Sequence, residues 1–265
     1  MPPAYCRHVR ALVETVSVDG LEVRLRTMAP AGRRRDQLAP TVVLVHGLGM
    51  SHRSFARSQQ VLSRTHRTVS VDLPGFGGVP GAGRSLAIGE LAELVMRALR
   101  SRGVHESILV GQSMGAQVVV EAAARHPADV VSVVLVGPVV DDRRRTLAHL
   151  ALALGRDGVF EGIRMNAVLV TDYLRSVRQY VLQLRPMLRY PMRDAVAGLR
   201  VPVLVVRGTR DQIASSGWAG RLTRVARQGA LVELFGAHHV QEHQPRAFAE
   251  LVDEFLRAQT LEGVR

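Results

Sequence analysis

The chain has 265 residues, 47% hydrophobic and 22% charged, which are the proportions of a globular chain and exclude general disorder. Its single cysteine, Cys6, excludes an internal disulfide and argues against a cysteine-based metal site. The formal charge of +12 comes from 35 basic residues that are all arginine. They are scattered and have few aromatics among them, so they read as solvated surface, not as a nucleic-acid footprint, with a mild bias toward anionic ligands.

Two short β-prone runs, Leu12–Val18 and Leu21–Thr27, flank Asp19-Gly20, a pair suited to a hairpin turn. Residues 28–40 read as a surface loop. Beyond it come continuous β-branched runs at Val42–Val45, Val69–Val71, Ser107–Val110, Val130–Val136 and Val201–Val206, with Leu231–Phe235 as a sixth. Strands apolar on both faces belong inside a parallel sheet covered by helices. Helical spacing alternates with them at Ser51–Ser63, Leu86–Ser101, Met114–Arg125, Trp218–Arg227 and Pro245–Arg257. This alternation predicts an α/β fold, preceded by the hairpin.

One stretch breaks the alternation. Residues 137–200 lie between two strands, yet carry only helical spacing, with Tyr173, Leu174, Val177, Tyr180, Val181 and Leu184 on one predicted helix face. The expected organisation is therefore a core of residues 1–137 and 200–265 with a helical cap at 138–199. Phe160, Met165, Leu169, Tyr173, Tyr180 and Met187 are available to line a pocket beneath it. The segment from Arg143 to Arg200 holds eleven arginines against four acids, Asp157, Glu161, Asp172 and Asp194, and an arginine turned inward would favour an anionic substrate.

The chemistry centres on Gly111-Gln112-Ser113-Met114-Gly115, a G-x-S-x-G pattern between a predicted buried strand and a helix. So tight a reversal strains the backbone at its centre. The flanking glycines remove clashing side chains, and the serine oxygen sits at a helix N-terminus, where negative charge is favoured. A serine nucleophile needs a base, and the base an orienting acid. Asp211, just beyond the strand Val201–Val206, is the candidate acid, and His238 or His239 the candidate base. Asp141 and Asp142 read as a solvated start to the insertion, and His243 as a surface residue.

With His46-Gly47-Leu48-Gly49 after the first central strand and Asp72-Leu73-Pro74-Gly75-Phe76-Gly77 after the next, the chain resembles the α/β-hydrolase superfamily over nearly its whole length. The resemblance implies a mostly parallel central sheet with helices on both faces and a cap inserted after the sixth strand. It implies a triad of Ser113, His238 and Asp211, with the backbone N–H groups of Leu48 and Met114 as oxyanion hole, and a loop-shaping role for His46. A G-x-G-H register would choose His239 as base. The spacing from His238 to Gln241, Glu242 and Pro245 resembles that of the haloalkane dehalogenases and selects His238. Dehalogenases and epoxide hydrolases use an aspartate where Ser113 stands, which argues against those chemistries.

The expectation is a serine hydrolase that cleaves a carboxylic ester or related acyl bond of a small hydrophobic substrate, neutral or anionic, through an acyl-enzyme. A thioesterase, a C–C bond hydrolase, a cyclase or acyltransferase, and a ligand-binding protein of the same fold remain alternatives. No cofactor, metal, nucleic-acid partner or membrane partner is expected. Without a signal-peptide pattern in residues 1–10, a cytoplasmic location is expected.

Overall fold

A computed structural model describes residues 10–30, 40–143 and 155–262. The elements run β1 (Leu12–Val18), β2 (Leu21–Met28), β3 (Thr41–Val45), a 3-10 turn (His52–Phe55), α1 (Ala56–Leu62), β4 (Thr68–Asp72), α2 (Ile88–Arg100), β5 (Ser107–Gln112), α3 (Met114–Arg125) and β6 (Val130–Val136). After the insertion, which contains α4 (Ile163–Arg189) and α5 (Met192–Gly198), come β7 (Val203–Gly208), α6 (Ser216–Val225), β8 (Gly229–Leu234), α7 (Val240–His243) and α8 (Pro245–Glu262).

The eight strands form one sheet in the order β1-β2-β4-β3-β5-β6-β7-β8. Among the described residues, only the β1–β2 and β2–β4 pairs are antiparallel. The strand alternation divides the core in two. Val43, Val45, Leu109, Val133, Leu135, Val203 and Val205 face one layer with Leu91, Val119, Val196 and Trp218. Val42, Leu44, Ile108, Val110, Val134, Val136, Leu204 and Val206 face the other with Phe55, Leu62, Phe248 and Val252. Both faces are thus covered, as the continuous apolar runs require.

Three expectations shift. The run beginning at Val201 enters the sheet only at Val203, because Pro202 has no N–H for the ladder. The last strand is not buried on both faces: β8 ends the sheet order, its residues are exposed or half-buried, and Phe235 lies beyond it in solvent. The predicted single face of α4 is split. Tyr173, Tyr180 and Leu184 pack inward, whereas Leu174, Val177 and Val181 are exposed.

Parallel strands all deliver their C-terminal ends to one edge, so the turns after β3, β5, β6, β7 and β8 meet there. The insertion leaves from that edge after β6. It is seated by Met165 and Val168 against Met50, and by Ser51 Oγ donating to Asp172 Oδ2 at 2.6 Å. Gln183 completes the seat, its amide exchanging two hydrogen bonds with the backbone of Leu86. Among the described residues no helix is long and apolar enough to cross a membrane.

Candidate active site

Ser113 sits at the junction of β5 and α3 with φ 57° and ψ −119°, a left-handed backbone unusual for a residue with a side chain. Such strain costs on the order of 1–3 kcal/mol and persists only where its surroundings enforce it. Here they do. A Cβ at Gly111 would lie 2.3 Å from the carbonyl oxygen of Gly115, and one at Gly115 would lie 2.2 Å from that of Val45. The turn therefore closes only with glycine on both sides. The Ser113 side chain makes no capping bond to α3, so the hydroxyl is left to other work.

The loop after β3 presses against this turn. A Cβ at Gly47 would stand 2.8 Å from Ser113 Cβ, and Leu48 lines the same cavity as Ser113. His46 shapes the loop. Fully buried, its Nδ1 lies 2.7 Å from the Gly47 carbonyl, while its Nε2 accepts the Leu73 N–H at 3.1 Å. Burial holds its pKa below the ordinary value against the opposing pull of Asp72, which keeps His46 neutral and occupied in joining two loops.

Asp211 and His238 converge from the turns after β7 and β8. His238 Nδ1 lies 2.9 Å from Asp211 Oδ2, and both side chains are buried. The other carboxylate oxygen accepts the N–H groups of Ile213 and Ala214, each at 2.8 Å, so the acid's orientation is fixed from both ends. Buried Arg207 braces the same turn through the carbonyls of Ala214 and Asp211. With Nδ1 committed to the carboxylate, Nε2 of neutral His238 is the acceptor nitrogen. It is buried and has no hydrogen-bond partner among the described residues. His238 packs against Gly137 at the end of β6, and Ser113 donates its N–H to Val136 one residue earlier.

His239 faces elsewhere. Its ring packs edge-on against that of His238 at 5.4 Å, while its Nδ1 pairs with Glu161 Oε1 at 2.8 Å. His243, expected at the surface, is half-buried and pairs with Glu161 Oε2 at 2.5 Å. Asp141 and Asp142 are not a free solvated pair either, since both hold Arg221. Glu161 and its neighbour Asp157 had no distinct sequence signal beyond two acids four residues apart in an arginine-rich insertion. Asp157, Glu161 and His239 bring ligand atoms within 4.8 Å of one another, as a metal site would. All four carboxylate oxygens already accept hydrogen bonds, from Gln212, His238, His239 and His243.

Leu48, Ser113, Val139, Tyr173, Tyr180, Met187 and Ile213 enclose a cavity of about 20 Å³, room for roughly one water. The tyrosines come from α4 and cover the loop after β3, for a Cβ at Gly49 would fall within 2.9 Å of both rings. Of the other residues expected to line a pocket, Met165 and Leu169 instead seat the insertion, and Phe160 is largely exposed. Arg175, Arg178, Arg185 and Arg189 all lie on the exposed face of α4, so none of these four turns toward Ser113.

The family model described as "Alpha/beta hydrolase family" matches residues 42–251. The chain belongs to the alpha/beta hydrolase family. Among curated relatives, this hydrolase-family chain is 26% identical over 245 residues to pyrrolizixenacetamide deacetylase of Xenorhabdus hominickii, covering 83% of this chain and 92% of that one. It is also similar in fold to the enol-lactonase of Burkholderia xenovorans, with a TM-score of 0.77, 23% identity and coverage of 92% and 100%. A thermophilic esterase of Thermogutta terrifontis gives a TM-score of 0.76 at 18% identity, with coverage of 94% and 98%. The fold expected from the sequence, an α/β-hydrolase sheet with a helical insertion after β6, is the fold observed.

Proposed function

We propose that the protein is a serine hydrolase that cleaves a carboxylic ester or related acyl bond carrying a small, neutral acyl group. The observation that carries this reading is the buried His238–Asp211 pair with an uncommitted Nε2, packed against Gly137 and so one residue from the Val136 carbonyl that accepts the N–H of the strained, cavity-lining Ser113.

In this reading Ser113 Oγ attacks the substrate carbonyl while its proton passes to Nε2 of His238. Asp211 holds the tautomer and stabilises the imidazolium. The N–H groups of Leu48 and Met114 receive the oxyanion, helped by the N-terminal end of α3. The leaving alcohol takes the proton from His238. A water then gives a proton to Nε2 as it attacks the acyl-enzyme, and His238 returns that proton to Ser113 Oγ as the bond to Oγ breaks and the acid departs. No step of this cycle calls on a cofactor. The insertion acts as a cap that excludes bulk water and limits what fits.

The cavity lining supports the substrate class: it contains no charged side chain, and a volume of only about 20 Å³ disfavours a long acyl chain. The Xenorhabdus relative is by name a deacetylase, which is consistent with a short acyl group. The test is turnover of p-nitrophenyl acetate against p-nitrophenyl octanoate by the wild type and Ser113→Ala. Acetate is expected to be preferred, and the alanine variant to lose several orders of magnitude in kcat. Unchanged turnover in Ser113→Ala would refute the mechanism. Preference for octanoate would refute the substrate class alone.

A further inference from the structure

The insertion reaches the catalytic edge through two carboxylates that this mechanism leaves unused. Residues 155–160 are helical and precede α4. Asp157 and Glu161, one turn apart, are 3% and 5% exposed. Asp157 Oδ1 accepts the N–H of Gln212 at 3.2 Å, next to Asp211, and its Oδ2 accepts the N–H of His238 itself at 3.4 Å. Glu161 Oε1 accepts the N–H of His239 at 2.9 Å as well as its ring nitrogen. Two acids of the insertion thus grip both turns that carry the proposed acid and base.

A buried carboxylate is costly unless donors or cations compensate it. Glu161 has two histidines. The hydrogen bonds to Asp157 come from backbone N–H groups, and around it stand two further carboxylates, Asp211 and Glu161, with His238 as the nearby base. If packing were the purpose, an apolar side chain would serve better. We propose that Asp157 is a positioning residue for His238: its carboxylate ties the turns after β7 and β8 to the insertion, and its charge acts on the imidazole. The claim that this matters for turnover rests on the Ser113–His238–Asp211 reading. The electrostatic claim does not.

The charges at the site agree with this assignment. Burial, partly offset by His238 and reinforced by Asp211 and Glu161, pushes the Asp157 carboxyl up to about 7. Burial opposes a proton on His238, but Asp211 first, then Asp157 and Glu161, outweigh it and raise the imidazole to about 9. Burial also works against ionisation of Glu161, yet the bonds from His239 and His243 hold it well below the usual carboxylate range. Facing His238 are therefore Asp211 from the β7 turn, Asp157 and Glu161 from the insertion and the His239 ring from its own turn. Tyr173 of α4 faces both insertion acids, whose charges add to burial in raising its phenol. A carboxylic acid keeps one good acceptor oxygen, so protonating Asp157 weakens one of its two backbone bonds. Attachment of the insertion and the protonation of the base are coupled through one side chain.

The experiment compares wild type, Asp157→Asn and Asp157→Glu. The His238 imidazole is followed by NMR across pH 5–10, and kcat/KM for p-nitrophenyl acetate is measured over the same range. Removing the charge is expected to lower the His238 midpoint, and with it the acidic limb of kcat/KM, by about one unit. It should also reduce kcat about tenfold through the lost backbone bond. Asp157→Glu keeps the charge and is expected to keep the wild-type midpoint, even where kcat falls. An NMR midpoint unchanged in Asp157→Asn reduces Asp157 to a packing role and overturns the proposal. If Asp157→Asn does not fold, Glu161→Gln takes its place in both measurements. The same account expects a downward shift, and no shift overturns it. Because NMR needs no turnover, an inactive wild type would sink the hydrolase reading without deciding this one.

Discussion

A methyl group added at Gly137 would land inside the proposed site. This glycine directly follows β6 with φ 51°, and its Cβ would stand 2.8 Å from both Cε1 and Nδ1 of His238 and 3.1 Å from Asp211 Oδ2. Two costs follow. The left-handed backbone costs an alanine about 1 kcal/mol. The contact adds more, because a rigid imidazole held at 2.9 Å by a carboxylate cannot bend away like the end of a flexible chain. To reach ordinary contact the ring must retreat by about half an ångström, and a misplacement of 1 Å costs roughly a hundredfold. For Gly137→Ala we expect kcat/KM on p-nitrophenyl acetate to fall about 10- to 100-fold and stability to fall by about 2 kcal/mol. Gly20→Ala is the matched control: φ is 77°, but nothing lies within 4 Å of its Cβ. It should lose about 1 kcal/mol in thermal or urea unfolding with activity intact. If Gly137→Ala keeps activity within twofold of wild type, His238 does not work from the observed position.

The adjacent histidines separate next: His238→Ala should lose about as much kcat as Ser113→Ala, whereas His239→Ala, which removes the Glu161 ion pair, should keep most of it. Reversed effects would make His239 the base. With His238 held up near 9, kcat/KM should rise with pH toward that value as the imidazole loses its proton. A folded pKa raised above 6.5 also contributes stability that is complete below 6.5 and disappears as pH climbs through about 9. Urea unfolding at pH 6 and 10 checks this second sign, and a gain in His238-dependent stability at high pH would contradict it. Tyr173→Ala and Tyr180→Ala should widen the cavity and shift preference toward butyrate and octanoate esters. An unchanged chain-length profile would mean that α4 does not line the acyl site.

The sheet was legible because its central strands are buried on both faces and leave continuous apolar runs, as in Val42–Val45 and Val130–Val136. Ser113 was legible because glycines at 111 and 115 are required by contacts of 2.3 and 2.2 Å that no other residue could accept. Asp211 was legible as a candidate from its place after a strand, and the structure sets its Oδ2 2.9 Å from His238 Nδ1. The insertion was harder. Alternation of apolar residues shows that Tyr173 to Leu184 are helical, but not that one part of that set meets the core and another meets solvent, since both choices share the 3.6-residue period. Asp157 and Glu161 stayed hidden for a different reason: their partners are backbone N–H groups and histidines 55 to 82 residues away, which no local spacing records. The arginines of α4 could not be oriented by composition, and those at 175, 178, 185 and 189 turned out exposed.

The most direct test of the account is labelling with a fluorophosphonate, followed by mass-spectrometric mapping of the modified residue. The reagent should attach once, at Ser113, with labelling slowed by at least a hundredfold in His238→Ala and absent in Ser113→Ala. A wild-type protein that stays unlabelled, or is labelled at another residue, would contradict the assignment of Ser113 as nucleophile.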